Sequence, residues 1–215
     1  MLTFKLMTTA AKIALSDKEL ELVCDTGWIL TKHAVIQKVY TVFGNASQEM
    51  QSILESNRLF LPVELFIHSP KIAKGENYRL LPYVMLDYPR HFTVDNIIAI
   101  RTFFWWGNFF SVTLQLSGNF KILAEDVLLQ KYEWLKAGEF SICVNDDPWE
   151  HGFDEQNFVP VHQMTKEKFS GMLQRKFVKI AKMLPLREWN EAPGFIVNVF
   201  TELVELVKDD QAPRR

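Results

Sequence analysis

The sequence predicts an α+β fold in which a small antiparallel sheet of three to five strands packs with about five helices. Apolar residues recur at helical spacing in the first and last thirds of the chain, whereas the middle third has the two-residue period of strands. A Gly-Asn pair between two strand-like segments is typical of a hairpin. The 215 residues include nine glycines and nine prolines, too few for a long linker. We therefore predict a single domain over 1–215, with two small domains as the alternative.

The first third is predicted to be helical. Ser16 and Glu19 have the spacing of a capping box, in which each side chain accepts a hydrogen bond from the other residue's backbone N–H. A second helix follows, and Gly44-Asn45 is predicted to end it before a short third helix. The stripe of the second helix consists of Ile29, His33, Ile36, Tyr40 and Phe43.

The middle third is predicted to form the sheet, with consecutive antiparallel strands at 79–88, 97–106 and 109–116. The last two strands form the central hairpin 97–116, because Gly107 suits the first position of a two-residue type II′ turn. Such a turn pairs Trp106 with Phe109 and sets Phe103 opposite Val112.

Helices return in the last third. Gly138 is expected to end a helix that carries residues 124–135, and Thr165 is expected to begin a helix that runs to Leu184. Pro193 suits the first turn of a final helix. The apolar stripes of the last two helices are predicted to pack together, with Phe169, Leu173 and Ile180 meeting Phe200, Leu203 and Val207. Residues 209–215 are expected to be a frayed tail.

Composition and motifs narrow the classes of function. The 24 basic and 26 acidic side chains nearly cancel, so no nucleic-acid partner is expected. No membrane association is expected either, because no run of about 18 apolar residues occurs. Two cysteines and the absence of a leader-like apolar segment predict a cytoplasmic protein. The phosphate-loop and dinucleotide-binding glycine motifs are missing, and no cofactor is predicted.

An acidic loop is predicted at 145–157, after a short strand at 139–144. It contains Asp147, Glu150 and His151, and His162 follows eleven residues after His151. Carboxylates and an imidazole can ligate a divalent cation or form an acid–base pair. The spacing does not match the calcium-loop template, and an ordinary solvated loop is the other interpretation. The loop supports one hypothesis, a metal-assisted or acid/base hydrolase-like enzyme that uses residues 146–155.

The predicted helix at 166–182 is strongly basic. Its basic residues are Lys166, Lys168, Arg175, Lys176, Lys179 and Lys182, against the single acid Glu167. A basic amphipathic helix can meet an acidic partner, nucleic acid or an anionic membrane, but a solvated face is the simpler interpretation. Its counter-charge can also come from acidic residues of the last helix, such as Glu202.

The aromatic hairpin supports the favoured hypothesis. Arg101 is the only charge on an otherwise apolar strand face that also carries Phe103 and Trp105. A buried guanidinium needs an acceptor, and Asp87 on the preceding strand is the nearest candidate. Without that pair, we predict a ligand pocket at Asp87, Arg101, Phe103 and Trp105, in which Phe103 and Trp105 form the walls and Arg101 binds the anionic group of the ligand. We therefore favour a non-enzymatic binding or interaction protein, which holds a small apolar-anionic ligand or a protein partner near the hairpin.

Overall fold

The structure is a computed structural model that describes residues 13–208. The tail predicted at 209–215 lies outside these residues. The chain divides into two compact units, Met1–Lys38 and Val39–Arg215. A single domain over 1–215 therefore stays a prediction.

The first helix begins as its capping box predicts. Helix α1 (Asp17–Cys24) starts at the capping box, where the Ser16 hydroxyl accepts from the Glu19 N–H at 3.3 Å and Glu19 accepts from the Ser16 N–H at 2.8 Å. Helix α2 (Thr26–Ser56) continues through Gly44, so its predicted end at Gly44-Asn45 is wrong. A glycine inside a helix costs about 1 kcal/mol, which is too little to end a helix of this length.

A seven-stranded antiparallel sheet forms the centre of the second unit, and its strand order is β1-β2-β3-β4-β7-β5-β6. The strands are β1 (Lys71–Tyr78), β2 (Leu81–Phe92), β3 (Ile97–Trp105), β4 (Phe109–Ser117), β5 (Ser141–Cys143), β6 (Phe158–Pro160) and β7 (Phe177–Pro185). The remaining α-helices of residues 13–208 are α3 (Gly118–Gln130), α4 (Tyr132–Ala137), α5 (Lys166–Leu173) and α6 (Ala192–Val204). The α+β class is confirmed, but the prediction of three to five strands is wrong.

The largest error of the sequence prediction concerns the segment after Thr165. The threonine does begin a helix, since its hydroxyl accepts from the Lys168 N–H at 3.3 Å. That helix ends at Leu173, and β7 then pairs along its whole length with β4. Central strands that are buried on both faces lose the polar–apolar alternation that identifies a strand. The predicted helix contact through Ile180 is therefore wrong, because Ile180 lies on β7 opposite Leu114.

The central hairpin forms, with a register one residue away from the prediction. Trp105 pairs with Phe109 across a three-residue turn, in which Gly107 has a φ of +74°. Phe103 consequently lies opposite Ser111 instead of Val112. A slip of one residue moves every side chain of a strand to the other face. Arg101 therefore shares its face with the polar residues of β4.

The two faces of the sheet have different chemistry. One face is apolar, and its Phe110 contacts Phe43 of α2 with ring centroids 6.4 Å apart. The opposite face carries the polar side chains of the central strands and lies under the acidic loop between β5 and β6. Contacts between Phe103 and His151, with centroids 5.1 Å apart, join this face to the loop.

Candidate functional site

A buried ion pair lies on the polar face of the sheet. Asp87 of β2 is the register partner of Arg101 of β3. The guanidinium donates to both carboxylate oxygens, with Nε–Oδ1 at 2.6 Å and Nη2–Oδ2 at 2.9 Å. Only 14% of the Arg101 side chain and 11% of the Asp87 side chain are exposed. The acceptor that the sequence predicts for Arg101 is therefore present, and its geometry is bidentate.

His151 of the acidic loop completes the environment of Arg101. Its Nε2 lies 3.1 Å from Arg101 Nη1. Because a guanidinium has only donors, this histidine nitrogen accepts and the ring is neutral. Burial, followed by the charges of Arg101 and Lys179, lowers the pKa of His151 to about 2. The lone pair that would bind a metal or accept a catalytic proton is already engaged.

Lys179 of β7 attaches the same loop to the sheet. This lysine is fully buried, and its ammonium donates to the backbone oxygens of Pro148, at 3.1 Å, and Glu150. Burial is the main cause that lowers the pKa of Lys179 to about 8. Perturbed lysines often mark functional sites, but here both hydrogen bonds go to the loop backbone. The arrangement is that of a structural anchor.

Tyr78 at the end of β1 and Arg79 in the turn after it engage the rest of the loop. The Tyr78 hydroxyl accepts from the backbone N–H groups of His151, at 2.9 Å, and Gly152, at 2.8 Å, and donates to the Glu150 carboxylate at 3.1 Å. Arg79 forms ion pairs with Glu150 and, at 2.8 Å, with Asp154. Strand β1 is absent from the sequence prediction because 71–78 is polar, and with it these partners of the loop are missed.

The four residues predicted as metal ligands are not brought together. Asp147 accepts from the Trp149 N–H at 2.8 Å, which closes a local turn. Glu150 is paired with Arg79, and His162 is exposed on the short 3₁₀ helix Val161–Gln163. Within residues 13–208, no group of three His, Cys, Asp or Glu side chains is arranged to hold a metal ion.

The aromatic residues predicted as ligand walls are part of a packed cluster. Phe103 is 1% exposed and Trp105 is 8% exposed. Tyr78 contacts both rings edge-on, at centroid distances of 5.5 and 5.0 Å. A ligand beside the hairpin stays a prediction. Two large clefts elsewhere in the second unit are lined by other residues.

The basic face predicted over 166–182 does not exist as one surface, because the segment is half helix and half strand. Lys179 is buried, Arg175 pairs with Asp146, and Lys182 pairs with Glu202 at 2.7 Å. The expectation that Glu202 supplies counter-charge is confirmed for Lys182.

A groove lined by both apolar and polar side chains lies in the second unit. We call it the apolar groove after its exposed leucine and phenylalanine side chains; its volume is about 880 Å³. It is lined by Leu59, Phe60, Leu61, Pro62, Glu64, His91, Asn96, Ile98, Asn119, Phe120, Leu123, Ala124, Asp126, Val127, Gln130, Leu206, Val207 and Lys208. Leu59 is 68% exposed and Leu123 is 75% exposed. The sequence prediction missed the groove because segments far apart in the chain form it.

A second cleft, of about 820 Å³, lies between β7, α6 and the end of the acidic loop. Glu139, Glu155 and Glu188 line it, together with the Lys182–Glu202 pair. The Lys182 ammonium also lies 4.2 Å from the centroid of the Phe140 ring. The Lys182 ammonium therefore already occupies the position over the Phe140 ring where a cation is favoured.

No helix in the described part of the chain is long and apolar enough to cross a membrane. No protein-family model matches the chain, and neither a curated protein nor a solved structure matches it.

Proposed function

We propose that this protein is a non-enzymatic binding protein that holds an apolar segment of a partner protein in the apolar groove. The observation that carries the proposal is the exposure of Leu59, Phe60 and Leu123 along one groove, at 68%, 37% and 75%. Single exposed apolar side chains are normal on a protein surface, but several that line the same groove favour an interaction site.

The form of the groove favours a protein segment over a small molecule. Sites for small molecules enclose about 70–90% of the ligand surface. Here Leu59 and Leu123 are more than two-thirds exposed, so the groove is open at these two residues. Side-chain amides of Asn119 and Gln130 line the groove beside the apolar residues. An amide has both donors and an acceptor, which suits the backbone groups of a bound segment.

The apolar contacts supply the energy of this interaction. Burying a leucine side chain that is otherwise exposed contributes about 1.5–3 kcal/mol. A factor of ten in the dissociation constant corresponds to about 1.4 kcal/mol. Replacing one groove leucine by a charged residue should therefore weaken binding at least tenfold.

The test starts from random peptides displayed on phage and selected on the immobilised protein. We expect enrichment of sequences with apolar side chains, and their affinity is then measured by fluorescence polarisation. Leu123→Glu should weaken binding at least tenfold, whereas Ile122→Glu should not, because Ile122 is 61% exposed on the same helix but does not line the groove. Failure to enrich apolar peptides, or equal binding by both variants, would contradict the proposal.

The other hypothesis from the sequence, a hydrolase-like enzyme that uses loop 146–155, stays a prediction. His151 accepts from Arg101, and Glu150 is held by Arg79 and Tyr78. These contacts favour a structural role for the loop.

A further inference from the structure

The N-terminal residues 13–38, here called the arm, expose apolar side chains densely. Twenty large apolar side chains of residues 13–208 are exposed, and eight of them lie between residues 13 and 30. These eight are Ile13, Leu15, Leu20, Leu22, Val23, Trp28, Ile29 and Leu30. Such a concentration on a short segment is the signature of an interaction surface.

Helix α1 needs apolar cover to be stable. It has eight residues, and none of them is buried. Isolated helices shorter than about 12–15 residues are marginal in water, and an N-terminal cap contributes only about 1 kcal/mol. Leu20, Val23 and Cys24 are spaced by three and four residues, so they share one face of the helix. Leu20 and Val23 stay more than half exposed among residues 13–208, so a partner that covers this face would add stabilisation.

The charges of α1 are complementary to those of the first half of α2. Within α1, Asp17, Glu19 and Glu21 outnumber Lys18. The first half of α2, residues 26–38, carries the exposed Lys38 and no acidic residue. A two-fold arrangement that places α1 of one copy on α2 of the other brings both pairs of opposite charges together. An anionic membrane fits less well, because membrane-surface helices carry basic residues on the polar face.

We propose that the arm is a self-association surface and that its partner is the arm of a second copy of this chain. The proposal is independent of the apolar groove, which belongs to the other unit. It assigns the exposed apolar side chains of α1 and of the first half of α2 to a dimer interface, in which α1 of each copy faces the first half of α2 of the other.

Sedimentation velocity over a wide range of protein concentration tests this proposal. We expect the full-length protein to sediment as a dimer and Leu20→Glu with Val23→Lys to sediment as a monomer, at unchanged net charge. Val94→Glu is the control, because Val94 is fully exposed outside the arm, and it should remain dimeric. Circular dichroism and thermal unfolding are used to check that each variant stays folded. A monomeric wild-type protein, or a double variant that still dimerises, would overturn the proposal.

Charge reversal identifies the partner as a second copy. Glu21 of α1 and Lys38 in the first half of α2 are both exposed and carry opposite charges. Glu21→Lys and Lys38→Glu should each weaken self-association at least tenfold. An equimolar mixture of the two variants should associate more tightly than either alone, because the reversed charges then match across the interface. If the mixture is no tighter than the separate variants, the arm does not face its own copy.

Discussion

Acid should destabilise this protein through His151, which is neutral and partly buried against Arg101. The unfolded chain protonates this histidine as the pH falls through 6.5, whereas the pKa of His151 in the folded protein is lowered to about 2. The unfolded state therefore binds more protons between these values, and the stability that is fully present above pH 6.5 is progressively lost below it. Protonation of the folded state would place an imidazolium beside Arg101 and Lys179, two cations.

The size of the effect follows from the pKa difference. Each pH unit below 6.5 costs about 1.4 kcal/mol until the folded-state pKa is reached, so the loss at pH 4.5 is about 3 kcal/mol. His151→Gln keeps an acceptor for Arg101 Nη1 but cannot be protonated in this range. The variant should therefore lose about 3 kcal/mol less stability than the wild type between pH 7 and pH 4.5.

Urea unfolding at the two pH values, followed by tryptophan fluorescence, measures this difference. Carboxylates also titrate in this range, but they do so in both proteins and cancel in the comparison. His162→Gln is the matched control, because His162 is exposed, and it should behave like the wild type. Equal losses of stability in the wild type and in His151→Gln would refute the account of His151 as a neutral acceptor.

Three further predictions concern the same fold. Asp87→Asn leaves a buried guanidinium without its carboxylate and should lower the free energy of unfolding by about 3–5 kcal/mol in urea titrations; a loss below about 1 kcal/mol would contradict a desolvated pair. Gly118→Ala should destabilise the protein more than Gly107→Ala. Both glycines have a positive φ, but only at Gly118 would the added Cβ meet a backbone oxygen. Equal melting temperatures of the two variants would contradict this prediction. Cys24 should react quickly with a thiol reagent and Cys143 only on unfolding, because Cys143 is 4% exposed and burial raises its thiol pKa. Rapid modification of both cysteines would contradict the burial of Cys143.

The sequence predicts those parts of the fold that depend on local chemistry. The capping box at Ser16, the cap at Thr165 and the hairpin around Gly107 each rest on residues within a few positions of one another. The Asp87–Arg101 pair was also predictable, because neighbouring antiparallel strands place their residues opposite each other and a buried arginine needs an acceptor.

The remaining features depend on tertiary structure. Strand β7 resembled a helix because Phe177, Ile180 and Leu184 have helical spacing, although they lie in the buried centre of the sheet. Strand β1 was missed because an edge strand can be polar, as Lys71–Tyr78 is. The apolar groove joins residues from Leu59 to Lys208, and no local pattern shows that they meet.

The most direct test of the proposed function is to locate a selected apolar peptide on the folded protein. Titration of the peptide into the isotope-labelled protein, followed by backbone amide chemical shifts, gives this location residue by residue. We expect the largest shifts at Leu59, Asn119 and Leu123, which line the apolar groove, and no shift at Glu188 in the second cleft. Shifts confined to the second cleft or to the loop at 145–157 would contradict the assignment of the groove as the binding site.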